Sequence, residues 1–486
     1  MKKRSLWMSA IAALAAAATL AGCGSTTYFA GRTLPPSGIA NRVMVAIQNP
    51  SALSKGALQI LDAYYDTRYE YSNMSKTYSI SGYSGGLPST IQNLPEQTLG
   101  LVYGSSDGSL YKISYAKETS SGAVSGLSGL FSSVFASRDL VYTVGASVQN
   151  SIVTVVDQSG TNSGTYTFTL PNAQTVSMNA GGSVALIFAK NSDYMYYLRK
   201  LSASETTKYS GGSSTWPAGA ADCEPVNSPA WCLMKALDSG TGAALTFDRP
   251  SKAVFSNDGG TAYVLSAGPE SGGKVASVKA ISIAPMIYLS GQHSGTLPTQ
   301  TALDSTMVKT PGGATNALVN GSVMYVVGQQ KMTDGYWGGH LTEVTLPTSG
   351  LTGATAGSAI SISDGTPGYA SRMVLGDDDT LWIAMQKCNQ GERANNPGTY
   401  GSNYGCLTMF NTSSNTVTAI EPWLGDATGV TAVTTLHKVY AAIGGQVYIY
   451  STTSGDAINN QYVTVTGTAY DVAYMDATSD SDNTVY

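Results

Sequence analysis

Short runs rich in Val, Ile, Leu, Tyr and Thr recur along the chain, separated by Gly, Asn, Asp and Ser. Examples are Leu99-Gly-Leu-Val-Tyr103, Leu140-Val-Tyr-Thr-Val144, Val184-Ala-Leu-Ile-Phe188 and Ala262-Tyr-Val-Leu265. Further along come Val323-Met-Tyr-Val-Val327, Leu381-Trp-Ile-Ala384 and Val439-Tyr-Ala-Ala442. Runs this short, bounded by turn formers, predict strands. Several follow a second short strand and a polar turn, as in Ala253-Val-Phe-Ser-Asn-Asp-Gly-Gly and Met373-Val-Leu-Gly-Asp-Asp-Asp. Tight hairpins require positive φ, which Gly and Asx residues tolerate. After the N-terminal segment no stretch shows sustained 3.6-residue periodicity with caps, so the expected class is all-β.

The units repeat at intervals of roughly 40 to 65 residues, the period of propeller blades, whose small sheets bury their faces against their neighbours. First strands are expected near residues 90, 135, 176, 253, 317, 373, 432 and 472. That predicts a β-propeller of four-stranded antiparallel sheets with eight blades, or seven if the weak earliest unit is discounted. A strand starting at Thr484 and the N-terminal strands Arg42 to Ile47 and Leu58 to Tyr65 would close the ring, leaving no free sheet edges. The propeller would then span 42–486. Two β-sandwich domains are the structural alternative.

Ser256-Asn-Asp-Gly-Gly-Thr-Ala-Tyr-Val264 is similar to the strand–turn–strand core of YVTN/lactonase-like β-propellers. So is Asn150-Ser-Ile-Val-Thr-Val-Val-Asp157, followed by Gly164-Thr-Tyr-Thr-Phe-Thr169. The resemblance covers about two blades by residue and the rest by pattern. It implies a fold more than an activity, although some members of that group are enzymes. Uneven blade lengths and the long segment between Leu201 and Thr246 depart from it.

The N-terminus reads as an address. Lys2, Lys3 and Arg4 precede an apolar run from Leu6 to Leu20, then Leu20-Ala-Gly-Cys23. A basic start, a short apolar core and small residues before a cut form a secretory signal. Leu-Ala-Gly-Cys resembles the lipobox of bacterial lipoproteins, which implies cleavage after residue 22 and lipidation of Cys23. Residues 23–41, with Pro35-Pro36, would then be a flexible tether. Gly24 after the cysteine implies, by the same resemblance, the outer membrane of a Gram-negative cell.

Composition fits an exported β protein. Charged residues make up only 12% of the chain, and there are 54 Gly and 30 Tyr against 8 Phe. Cleavage would remove three of the 26 cations and none of the 31 acids. A sparsely charged, acidic chain lacks the Lys/Arg clusters that phosphate backbones need, so nucleic acid is not an expected partner. The four cysteines beyond Cys23 allow three pairings. Cys223 with Cys232 and Cys388 with Cys406 is favoured, because each pair brackets a polar loop. A metal site is the rival, but no CxxC or Cys/His cluster appears, and an oxidising envelope favours disulfides.

Catalytic motifs are scarce. The three histidines, His293, His340 and His437, have no metal-ligand spacing to another His or carboxylate. G-x-S-x-G occurs around Ser84 and Ser106, but a nucleophile elbow needs a strand-to-helix turn, and neither copy precedes a helical pattern. Asp377-Asp378-Asp379 and Asp476, Asp480 and Asp482 lack the EF-hand pattern and read as solvated turn carboxylates. No cofactor or metal is expected. Aromatic residues in loops are better candidates for ligand or partner contact: Tyr336, Trp337, Trp216, Trp231 and Tyr404.

The expectation is a lipid-anchored, non-catalytic envelope propeller that binds or scaffolds proteins or glycans. An exported hydrolase or lactonase working in the propeller channel is the alternative. It predicts polar side chains with perturbed pKa values converging at one channel mouth.

Overall fold

A computed structural model describes residues 35–52, 55–65, 78–124, 127, 130–160, 163–179, 181–201, 220–224, 231–238, 241–286, 307–333, 335, 337–348, 350–363, 369–388, 405–422, 425–463 and 465–478. These residues form eight antiparallel sheets, six of four strands and two of five, arranged as an eight-bladed β-propeller. The innermost strands of blades one to eight are Pro88–Leu94, Ser133–Ala136, Ala173–Met178, Pro250–Phe255, Asn316–Asn320, Tyr369–Leu375, Ala427–Val433 and Thr468–Tyr474. All eight fall where the sequence pattern places first strands. The only helical pieces among the described residues are four short 3₁₀ turns.

Sheets in this ring are covered on both faces, which explains the apolar runs. Val43, Val45 and Ile47 pack with Val433 and Tyr440 of blade seven. Met44 and Ala46, between them in sequence, pack with Ile91 and Val102 of blade one. Alternate residues thus enter opposite interfaces, and both sets must be apolar. The buried apolar residues divide into eight clusters, one at each blade–blade junction.

Each inner strand is also an edge strand on its channel side, with backbone groups that need partners. Side chains of the preceding blade supply them. Gln92 exchanges two hydrogen bonds with the backbone of Ala136, at 2.8 and 3.0 Å. Ser133 accepts from Val176 N–H, Ser177 from Ala253 N–H, Thr431 from Tyr474 N–H and Asp471 from Ile91 N–H. A second set of hydroxyls links blades higher up. Ser132 lies within hydrogen-bond distance of Ala146 O in its own blade and Gln174 O in the next. Ser251 does the same with Leu265 and Ala314, and Ser371 with Ala384 and Ala427.

The ring closes through blade eight, where Arg42–Gln48 lies between Gly56–Asp62 and the C-terminal strand Thr468–Tyr474. Arg42, 5% exposed, locks the seam. Its guanidinium meets Asp476 at 2.5 Å and Glu118 of blade one at 3.0 Å, and donates to Tyr115 O. Glu118 also accepts from the N–H and hydroxyl of Ser37, so the entering chain is tied to blade one. Thr484 lies outside the described residues.

Blade three departs from the expected four strands. After Met195–Lys200 the order continues with Trp231–Lys235 and then, outermost, Ala220–Glu224. The segment between Leu201 and Thr246 therefore adds a hairpin to the blade, and Cys223–Cys232 crosslinks a register pair within it. The second disulfide joins Cys388 to Cys406. Both pairings are the ones favoured from sequence.

Candidate functional site

A pocket of about 420 Å³ opens between blades four and five. Three chain segments build it: the turn after Thr261–Ser266, the link from Met307–Lys309 to Asn316–Asn320, and the paired ends of the strands Val323–Lys331 and Trp337–Thr345. Lys274, Lys309 and Lys331 stand at its edge, all exposed, and Trp337 lines it half-buried. None of the three ammonium groups meets a carboxylate among the described residues. Thr310, 2% exposed, also lines the pocket, and its hydroxyl has no hydrogen-bond partner among the described residues.

The pocket floor is rigid because backbones touch there. Gly313 has φ +89°, and a Cβ at this position would lie 2.5 Å from Gln329 N. Only glycine permits both the angle and the approach. Behind the wall, Glu270 accepts from Gln329 N–H and Gln329 Nε2, both at 2.9 Å. Loss of hydration pushes the Glu270 carboxyl above the usual glutamate range, and the two Gln329 donors pull it partly back.

The aromatic residues expected at a contact surface separate on inspection. Trp337 lies in the pocket. Trp231 does not: it is fully buried, stacked edge-on with Tyr142 at 5.7 Å, its Nε1–H directed to Asp157. The cause is strand order, since Trp231–Lys235 sits inside the added hairpin rather than at its rim. The all-apolar start Trp231-Cys-Leu-Met234 was the sequence signal for an interior strand. Trp216, Tyr336, Tyr404 and Cys23 lie outside the described residues.

The channel holds a second polar assembly. Arg372 of blade six reaches past blade seven and donates to Asp471 at 2.8 Å and to Ile91 O at 2.9 Å. Asp471 is almost fully buried and accepts as well from Ile91 N–H and Val472 N–H. Desolvation holds its carboxyl above the usual aspartate range, with Arg372 opposing. On the inner strands of blades four and five, Lys252 donates to Asn316 at 2.7 Å.

The remaining candidates have structural partners. His340 is buried, with Nδ1 2.8 Å from Gly338 O. Ser84 meets the Tyr111 hydroxyl at 3.0 Å. The Ser106 turn packs on the Ser84 turn, where Gly86 N–H donates to Asp107. Neither serine opens a helix. Asp476 belongs to the ring seam, and His293, Asp480 and Asp482 lie outside the described residues. The Asp377–Asp379 turn is not simply solvated. Asp377 pairs with His437 of the next blade, and ligand-type atoms of Asp377, Asp378 and His437 all lie within 4.8 Å of one another. Two carboxylates and an imidazole are donors a transition metal accepts. The juxtaposition was hidden in sequence because adjacent blades supply the two sides.

No protein-family model matches the chain, and no curated protein matches it. Solved propellers are similar in fold. A periplasmic gluconolactonase of Pseudomonas aeruginosa shares 11% identity over 89% of this chain and 98% of its own, with a TM-score of 0.45. A putative 6-phosphogluconolactonase of Bacteroides fragilis shares 10% over 90% and 99%, with a TM-score of 0.43. A dihydro-heme d1 dehydrogenase shares 12% over 92% and 78%, with a TM-score of 0.48. The neighbours thus include lactonase-like propellers, and at such identities they bring no site residue or activity to this chain.

Proposed function

We propose that the protein is a lipid-anchored β-propeller of the bacterial cell envelope, held in the outer membrane through Cys23, that binds a protein or glycan without transforming it. The observation that carries the reading is the pocket between blades four and five. Among the described residues it offers an aromatic ring, three ammonium groups that meet no carboxylate and a hydroxyl with no hydrogen-bond partner, and the residues that line it include neither histidine nor carboxylate. Such a wall supplies contacts and charge but no carboxylate–imidazole pair to shuttle protons. Its glycine floor is preorganised, which lowers the ordering cost of association.

The hydrolase or lactonase reading has one observation in its favour, the buried Asp471 with its raised carboxyl pKa. Both Asp471 oxygens are already engaged by Arg372 and backbone N–H groups, an arrangement suited to bracing the ring. Photo-crosslinking in intact cells from a reactive residue at Gln330 tests the binding reading. Capture of an envelope protein or glycan, lost in Trp337→Ala, is the expected result. Capture of lipid alone, or lactone turnover abolished by Asp471→Asn, overturns it.

A further inference from the structure

We propose that the pocket between blades four and five takes a carboxylated saccharide, its acid group at the lysines and its ring face against Trp337. This deepens the binding reading above and rests on it. Lys274, Lys309 and Lys331 border one concavity on a chain with more acids than bases, 31 against 26. Three like charges gathered at one opening, unneutralised among the described residues, create a local positive potential that favours an anion. Glu270 sits behind the wall rather than among the lining residues, with both oxygens turned to Gln329.

Charge alone would fit any anion, and three further features narrow the class. Trp337 offers a flat apolar face with a polar edge, which matches the C–H face of a pyranose ring. The buried Thr310 hydroxyl has no partner among the described residues, and an incoming sugar hydroxyl would satisfy it. The volume lies within the range of roughly 300–1,000 Å³ usual for small-molecule sites. An extended acidic peptide would instead seek a row of free backbone donors and acceptors. Here the groups on offer are ammonium, hydroxyl, side-chain amide and an aromatic ring.

The test uses the full-length chain in detergent, with tryptophan fluorescence and calorimetry as readouts. The probes are a glucuronate-containing disaccharide, its carboxyl-reduced neutral counterpart, sodium acetate and an oligoglutamate peptide. The acidic disaccharide is expected to bind, and to weaken as salt is raised. The neutral counterpart should bind about tenfold more weakly or worse, as should the Lys274→Ala/Lys309→Ala/Lys331→Ala variant and Trp337→Ala, a loss typical of one or two contacts. Thr310→Val should lose affinity for the disaccharide with no change for acetate. Equal binding of the neutral sugar, tighter binding of the peptide, or indifference to Trp337→Ala overturns the assignment. Absence of saccharide binding alongside crosslinked capture of a protein at Gln330 removes this inference and leaves the binding reading standing.

Discussion

Arg372 and Asp471 meet at 2.8 Å on the channel side of the propeller, tying blade six to blade eight, with Asp471 packed against Gly429 of the blade between them. The carboxylate is buried and the guanidinium only partly exposed. Removing one partner strands the other's charge, which typically costs about 3–5 kcal/mol. Arg372→Met should therefore destabilise the fold by about 3 kcal/mol in urea unfolding. The double variant Arg372→Met/Asp471→Asn should recover part of that loss. Equal stability of Arg372→Met and the wild type would show that the pair braces nothing.

The Arg42 seam makes a different prediction, because it joins the two ends of the described chain. Arg42→Met leaves Asp476 and Glu118 facing a buried apolar side chain, at a cost of about 3 kcal/mol or more. Hydrogen exchange should rise first in Arg42–Gln48 and Thr468–Tyr474, the strands at the seam. A uniform rise over all eight blades would count against a local lock.

Glu270 sets a sign for the pH dependence. Burial raises its folded-state pKa above the ordinary 4.5, so the folded chain holds this proton more tightly than the unfolded chain. Stability from this group is complete below that value and declines as pH rises through the interval up to the raised pKa. Glu270→Gln removes the decline. Urea midpoints measured from pH ~4 to ~8 should show the wild type losing ground to Glu270→Gln as pH increases. A difference that stays flat, or grows in the wild type's favour, contradicts the sign.

Cys223→Ser/Cys232→Ser opens the crosslink within the hairpin added to blade three. A loop of this size restricts the unfolded chain by roughly 3 kcal/mol in the entropy model. The loss should appear in denaturant unfolding, and the wild type under reducing conditions should reproduce it together with the loss of the Cys388–Cys406 bond.

Gly313→Ala tests the pocket floor directly. The new Cβ meets the Gln329 backbone at 2.5 Å in a left-handed conformation, so the link carrying it must shift away from the strand Val323–Lys331. A cost of about 1–3 kcal/mol is expected, measured by thermal unfolding, with weakened ligand binding at the adjoining wall.

Most of the fold was legible along the chain. Apolar runs such as Val323-Met-Tyr-Val-Val327 marked the second strand of a blade, and the polar turn and short strand before each run placed the inner one, because each sheet is covered on both faces. The cysteine pairs were legible for a similar reason, since each closes a local loop. Burial and turn chemistry act over a few residues, and a reader of the sequence meets those residues together.

What lies between blades had to wait for the ring. Lys274, Thr310 and Trp337 belong to three segments that meet at one pocket only when blade four docks on blade five. Asp377 finds His437, and Arg372 finds Asp471, by the same packing of neighbouring or facing blades. Trp231 shows the reverse: a ring that looked available in its loop is enclosed because strand order turns it inward. Strands follow from short-range periodicity, whereas these contacts depend on how the sheets are angled around the axis, which no local stretch of residues encodes.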